Sequence, residues 1–169
     1  MLHCLDGATG EVRWSRDLPG EFDVTPRQEA RTIAYGRSNS PLIVGDLVVV
    51  PAGGPEQGSI VSLVAYDKST GREGWWGGES QISYSSPVLT TLSGVEQILI
   101  VNEDNVSGHD VSTGQRLWHY KWDGKSNTNA SVSQAVPVGG DRVFLSKAYG
   151  NGAALFKVRR NSGGKWFAE

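Results

Sequence analysis

A single cysteine, Cys4, stands among 169 residues, which excludes an internal disulfide; placed on a strand, it is expected to be a small buried thiol. No apolar run approaches the roughly 20 residues of a membrane-spanning helix, and no secretion signal is visible at the start of the chain. Charge of one sign is also missing. Sixteen Lys and Arg against 18 Asp and Glu leave a net charge of −2, with no basic stripe to support nucleic-acid binding. The three histidines, His3, His109 and His119, are too scattered to form a convergent metal pair in sequence. The patterns G-x-S-x-G and H-E-x-x-H and a phosphate-binding glycine loop are absent as well. Glycine, by contrast, is abundant at 22 residues, and that abundance points to many turns.

The turns are organised. Asp6-Gly-Ala-Thr-Gly10-Glu-Val-Arg-Trp14 is repeated in frame by Asp67-Lys-Ser-Thr-Gly71-Arg-Glu-Gly-Trp75 and by Asp110-Val-Ser-Thr-Gly114-Gln-Arg-Leu-Trp118. Each reads D-x-x-T-G-x-x-x-W. A worn fourth copy, Asn161-Ser-Gly-Gly-Lys-Trp166, keeps a glycine turn before a Trp without the Asp, the Thr or the spacing. A second element recurs between them: Ser40-Pro41-Leu-Ile-Val-Gly-Asp46, a partial echo at Ser86-Pro87, and Ser133-Gln-Ala-Val-Pro137-Val-Gly-Gly-Asp141. Trp75 and Trp118 lie 43 positions apart, and Trp118 and Trp166 lie 48 apart. Such periods fit a four-stranded propeller blade.

The chemistry of one unit agrees with that reading. Leu42 to Val44, Leu47 to Val50 and Ile60 to Tyr66 are short strand-like runs separated by Gly-Asp or Ser-Thr-Gly, so tight antiparallel hairpins are expected. The motif aspartates Asp6, Asp67 and Asp110 are expected to accept hydrogen bonds from their own turn amides. Gly10, Gly71 and Gly114 supply the positive φ that a β-carbon opposes. Trp14, Trp75 and Trp118 then fall on the next strand, where they are expected to take equivalent places and lie mostly buried between blades.

With its upstream S-P-x-x-x-G-D-x-V element, the D-x-x-T-G-x-x-x-W frame resembles the tryptophan-docking repeat of the pyrroloquinoline-quinone-like (PQQ-like) β-propellers. That family includes quinoprotein alcohol dehydrogenases, BamB-type outer-membrane assembly factors and bacterial repeat proteins without an assigned activity. The resemblance implies an all-β fold, a partial β-propeller of about three and a half four-stranded antiparallel blades in an open arc, cut from a larger ring of about eight blades. Residues 1–17 are expected to be the terminal hairpin of a blade, 18–37 an insertion loop, and 38–77, 84–122 and 131–168 three blades. It also implies a periplasmic or extracellular home.

Residues 18–37 leave the repeat and show neither strand alternation nor a sustained helical stripe. Loops on a rigid propeller are where binding function is commonly placed, so Arg27, Arg31, Tyr35 and Arg37 form a candidate contact patch. No cofactor, metal or catalytic residue is assigned. Quinoprotein dehydrogenases hold their quinone over calcium, and many use adjacent cysteines, which this chain lacks. The polar cluster Asn102-Glu103-Asp104-Asn105 is expected to be a hairpin turn rather than a calcium site. The resulting expectation is a non-catalytic scaffold that binds a protein or ligand, with a protein or the missing blades as partner. The alternative is part of a PQQ-dependent alcohol dehydrogenase whose catalytic residues lie outside this chain.

Overall fold

The computed structural model describes residues 1–125, 128, 130–148 and 150–169. The chain begins with a hairpin, β1 (Leu2–Leu5) and β2 (Val12–Arg16), followed by two short helices, α1 (Leu18–Glu21) and α2 (Pro26–Thr32). Three blades then follow. The first contains β3 (Leu42–Val44), β4 (Leu47–Gly53), β5 (Val61–Asp67) and β6 (Glu73–Gly77). The second contains β7 (Val88–Leu92), β8 (Val95–Val101), β9 (Asn105–Asp110) and β10 (Arg116–Lys121), and the third β11 (Val136–Pro137), β12 (Arg142–Lys147), β13 (Gly152–Arg160) and β14 (Trp166–Ala168). Every blade is an antiparallel meander in chain order, and none of the sheets closes on itself among the described residues. The architecture is that of a partial β-propeller.

The turns explain why the sequence pairs in this way. Asp6 Oδ1 accepts from the amides of Ala8 (2.8 Å) and Thr9 (3.1 Å), Asp67 Oδ1 from Ser69 (3.1 Å) and Thr70 (2.7 Å), and Asp110 Oδ1 from Ser112 (3.0 Å) and Thr113 (2.9 Å). These bonds favour the ionised carboxylate, and each pKa lies below the ordinary value. The strongest contribution comes from Arg13 for Asp6, from the Thr70 hydroxyl for Asp67 and from the Ser112 hydroxyl for Asp110. In the worn copy Asn161 takes over: its Oδ1 accepts from the Lys165 amide at 2.9 Å.

The tryptophans connect the units. Trp14 Nε1 donates to the carbonyl of Lys68, and Trp75 Nε1 to that of Val111, each at 3.1 Å. Both carbonyls belong to the residue after the motif Asp of the following blade. The rings lie on the glycines of those same turns. A β-carbon on Gly71 would stand 2.7 Å from the Trp14 ring, and one on Gly114 would overlap the Trp75 ring. Trp118 departs from this pattern: it is 4 % exposed and donates to Gln97 Oε1 of its own blade at 2.5 Å. The third blade has lost the Thr-Gly seat, so the ring instead packs edge-on against Phe156, with centroids 5.9 Å apart.

Burial follows the order of the blades. Side chains alternate across a strand, so Val48, Val50 and Ala52 of β4 meet Trp14 and the insert, while Val49 joins Leu63, Ile98 and Ile100 between the first two blades. Because β4 and β5 are covered on both faces, they read as nearly continuous apolar runs. In the third blade β12 alternates strictly between exposed and buried. Val143, Leu145, Phe156 and Val158 pack on the second blade, whereas Phe144, Leu155 and Phe167 face outward. That outward face also carries the exposed Lys157 and Arg159. Cys4 lies on β1 but is only half-buried, with its Sγ 3.9 Å from the Lys68 carbonyl.

The insert is not a bare loop. Thr25 caps α2: its Oγ1 accepts from the Gln28 amide at 3.3 Å, and Gln28 Oε1 accepts from the Thr25 amide at 2.8 Å, with Pro26 opening the first turn. Leu18, Phe22 and Val24 anchor it in the cluster beneath Trp14.

The two kinds of turn glycine separate experimentally. Gly10 has φ 76° with no atom near a prospective β-carbon, so Gly10→Ala is expected to cost about 1–2 kcal/mol from backbone strain alone. Gly114→Ala carries the same strain at φ 72° and displaces Trp75, adding about 1–3 kcal/mol. Trp118→Ala is expected to cost about 3–5 kcal/mol. Urea midpoints of the three variants check this order.

Candidate functional site

The insert is the part of the chain that the repeat does not explain, and it packs on the first blade. Arg37, one of the four patch residues proposed from sequence, is a clamp. Its Nε and Nη2 donate to Glu29 Oε1 (2.8 Å) and Oε2 (2.9 Å), and its Nη1 to the carbonyls of Ala52 (2.7 Å) and Pro51 (3.3 Å). A planar guanidinium can span a helix carboxylate and a strand backbone at once, so α2 is fixed to β4. Arg27, Arg31 and Tyr35 remain exposed. Arg31 Nη1 approaches Glu56 Oε2 at 3.9 Å, and Tyr35, 84 % exposed, has its ring 6.1 Å from that of Tyr84.

Below the insert lies a cleft of about 520 Å³, bounded by residues 21–28 on one side and by residues 55–61 and Trp76 on the other. Trp76 is 49 % exposed, and its ring rests on buried Phe22 with centroids 5.0 Å apart and planes inclined by 57°. Glu21 is part of the lining. Its Oε2 accepts from the buried Tyr66 hydroxyl at 2.7 Å, and Arg16 Nε lies 3.6 Å from its Oε1. Burial first, and then the Glu21 bond, push the Tyr66 pKa well above that of an ordinary phenol. Asp23 lines the same cleft with φ 54°. The repeat frame stops at Trp75 and so gives no reason to single out Trp76. The available signal was a second Trp where the other repeats carry Ser15 and His119.

Elsewhere, side chains that look reactive are occupied. Ser107 Oγ and His109 Nε2 are 2.8 Å apart, a spacing suited to a nucleophile and its base, yet both residues are fully buried. His109 Nδ1 lies 2.9 Å from the Gly114 carbonyl, which only accepts, so Nδ1 carries the proton and Nε2 accepts from Ser107. Ser107 in turn accepts from Asn102 Nδ2 at 2.9 Å. The pair therefore braces the docking turn.

Among the described residues, no three His, Cys, Asp or Glu side chains converge to hold a metal. Residues 102–105 form the β8–β9 turn. There Asn102 Nδ2 bonds Asn105 Oδ1 (2.8 Å), and Asn105 Nδ2 bonds Asp104 Oδ1 (2.7 Å) and Ser80 Oγ (2.7 Å). Asn105 Oδ1 and Asp104 Oδ1 are held within the turn, whereas Asn102 Oδ1 is buried without a hydrogen-bond partner among the described residues.

A family model described as outer membrane protein assembly factor BamB matches residues 1–169. Among solved structures the chain is similar to BamB from Moraxella catarrhalis, at 16 % identity and a TM-score of 0.43, over 68 % of this chain and 44 % of that one. The chain thus spans less than half the length of that relative. No curated protein matches it. Among the described residues no helix is long and apolar enough to cross a membrane.

Burial pushes the His109 pKa down from 6.5 to about 4, with Arg116 adding to the shift and the Gly114 carbonyl opposing it. Between those values the unfolded chain binds more protons than the folded one. Stability is therefore fully present above pH 6.5 and is lost as pH falls toward 4, by about 3 kcal/mol. His109→Gln is expected to be less stable at pH 7 but to show a shallower loss over this window. Urea midpoints of both proteins at pH 7, 6, 5 and 4 check it.

Proposed function

The chain belongs to the PQQ-like, BamB-like repeat family, and from that premise we propose that it is a non-catalytic scaffold that binds a protein partner through loops held on rigid blades. The observation that carries this reading is the Arg37 clamp. Ordering a side chain costs conformational entropy, and fixing α2 to β4 through Glu29 and two backbone carbonyls lowers that cost for whatever meets the insert. Arg27, Arg31 and Tyr35 are the residues offered on it, and exposed Tyr and Arg are the types that dominate binding surfaces. We place the protein in the periplasm or outside the cell, as its family suggests, and take the further blades of a ring to be supplied by sequence beyond this arc. The alternative, a portion of a quinoprotein alcohol dehydrogenase, requires calcium and quinone ligands from outside the chain.

Two measurements test the proposal. In a titration with PQQ and calcium, the purified chain is expected neither to retain the quinone nor to reduce a dye with alcohols; tight calcium-dependent binding with dye reduction overturns the scaffold reading. A photo-crosslinking residue at Tyr35, introduced in the native host, is expected to give a discrete protein adduct that is weakened when Arg27 and Arg31 are changed to Glu. The same crosslinker at exposed His119 is expected to give none. Equal adducts at both positions overturn the assignment of the patch.

A further inference from the structure

We propose that the cleft between the insert and the first blade binds an organic cation, a guanidinium or ammonium group carried on a peptide, with Trp76 as its aromatic wall and Asp23 and Glu21 as its counter-charges. The proposal rests on the reading of the chain as a binding scaffold and locates one site on it, separate from the Tyr35 patch.

Trp76 is the first reason. Its neighbour Trp75 docks on the next blade, but the Trp76 ring faces the insert, where Phe22 supports its position and nearly half of its surface stays open. The corresponding residues of the other two repeats are polar, Ser15 and His119, so blade packing does not require an indole here. A supported, half-open indole presents a negative π-face, to which cations are drawn.

Charge is the second reason. The lining of the cleft contains two carboxylates, Glu21 and Asp23, and no Lys, Arg or His. Glu21 is partly satisfied by Tyr66 and Arg16. The Asp23 carboxylate has no hydrogen bond or ion pair among the described residues, while its backbone amide is tied to the Gly20 carbonyl at 3.4 Å. A saccharide would use the same indole and its hydroxyls can donate to a carboxylate, but it carries no positive charge to offset one. A planar guanidinium uses both, stacking on the ring and donating to a carboxylate. At about 520 Å³, the cleft has the volume of a small-molecule or side-chain site.

The test uses the intact chain with N-acetyl-arginine amide as probe and N-acetyl-citrulline amide as its uncharged counterpart, followed through indole N–H resonances. Trp76→Phe identifies the Trp76 resonance by its loss. The expected result is a saturable shift of that resonance with the arginine probe, absent with citrulline and weakened by 0.5 M salt. Asp23→Asn, which keeps a residue tolerant of positive φ, is expected to weaken binding two- to five-fold. Absence of any shift, an equal response to citrulline, or unchanged binding in Asp23→Asn overturns the proposal. Those results leave the scaffold reading standing if the chain still fails to bind quinone; quinone binding with dye reduction removes that reading whatever the arginine probe does.

Discussion

An indole N–H covered by its surroundings needs an acceptor, and at two junctions of this chain the acceptor is a carbonyl of the following unit. Much else is constrained by that bond. For the carbonyls of Lys68 and Val111 to stand in the right place, Asp67 and Asp110 must hold their turns through the amides of the next residues. For the ring to lie flat on the turn, Gly71 and Gly114 must lack a β-carbon. Once the spacing of the outer hairpins is fixed, the sheets face each other closely enough to exclude water, and Val49, Leu63, Ile98 and Ile100 fill the gap. Even the buried His109 belongs to this arrangement, because its ring N–H is spent on the carbonyl of Gly114.

The insert obeys a related constraint by other means. Tyr66 is fully buried, and its hydroxyl cannot be left without a partner inside the cluster. Glu21, delivered by α1, accepts from it. The guanidinium of Arg16 lies 4.8 Å from the centre of the Tyr66 ring, between the two elements. A polar atom of the first blade thus depends on a segment outside the repeat, which makes the insert part of the packing as well as a platform. Glu21, which accepts from Tyr66, also lines the cleft beside Trp76.

Legibility in the sequence tracked the range of the interactions. The all-β, antiparallel character of the fold was visible because it depends on residues a few positions apart, repeated in register. The helices of the insert were hidden because α2, at seven residues, is too short to show an apolar period; its capping box, Thr25 with Gln28, was the readable sign. Trp118 carries the same motif as Trp14 and Trp75, yet its partner is Gln97, twenty-one positions back on its own blade. No local pattern announces that choice, which follows from the missing Thr-Gly seat at Asn161. The Arg37 clamp and the Trp76 cleft arise where segments distant in sequence meet, and composition has no means of marking such meetings.

The docking contact also has a direction. Trp14 and Trp75 reach forward, so a unit of this kind carries an indole for its successor and a seat for its predecessor. A unit built this way brings its own interface with it. Duplication of the first blade's segment would create a new junction already matched on both sides, requiring no second mutation, and the array can lengthen by recombination alone. Duplication of the third would not, because the Asn161 turn supplies no seat for an incoming ring. An added unit would therefore meet a matched junction after the first blade and an unmatched one after the third.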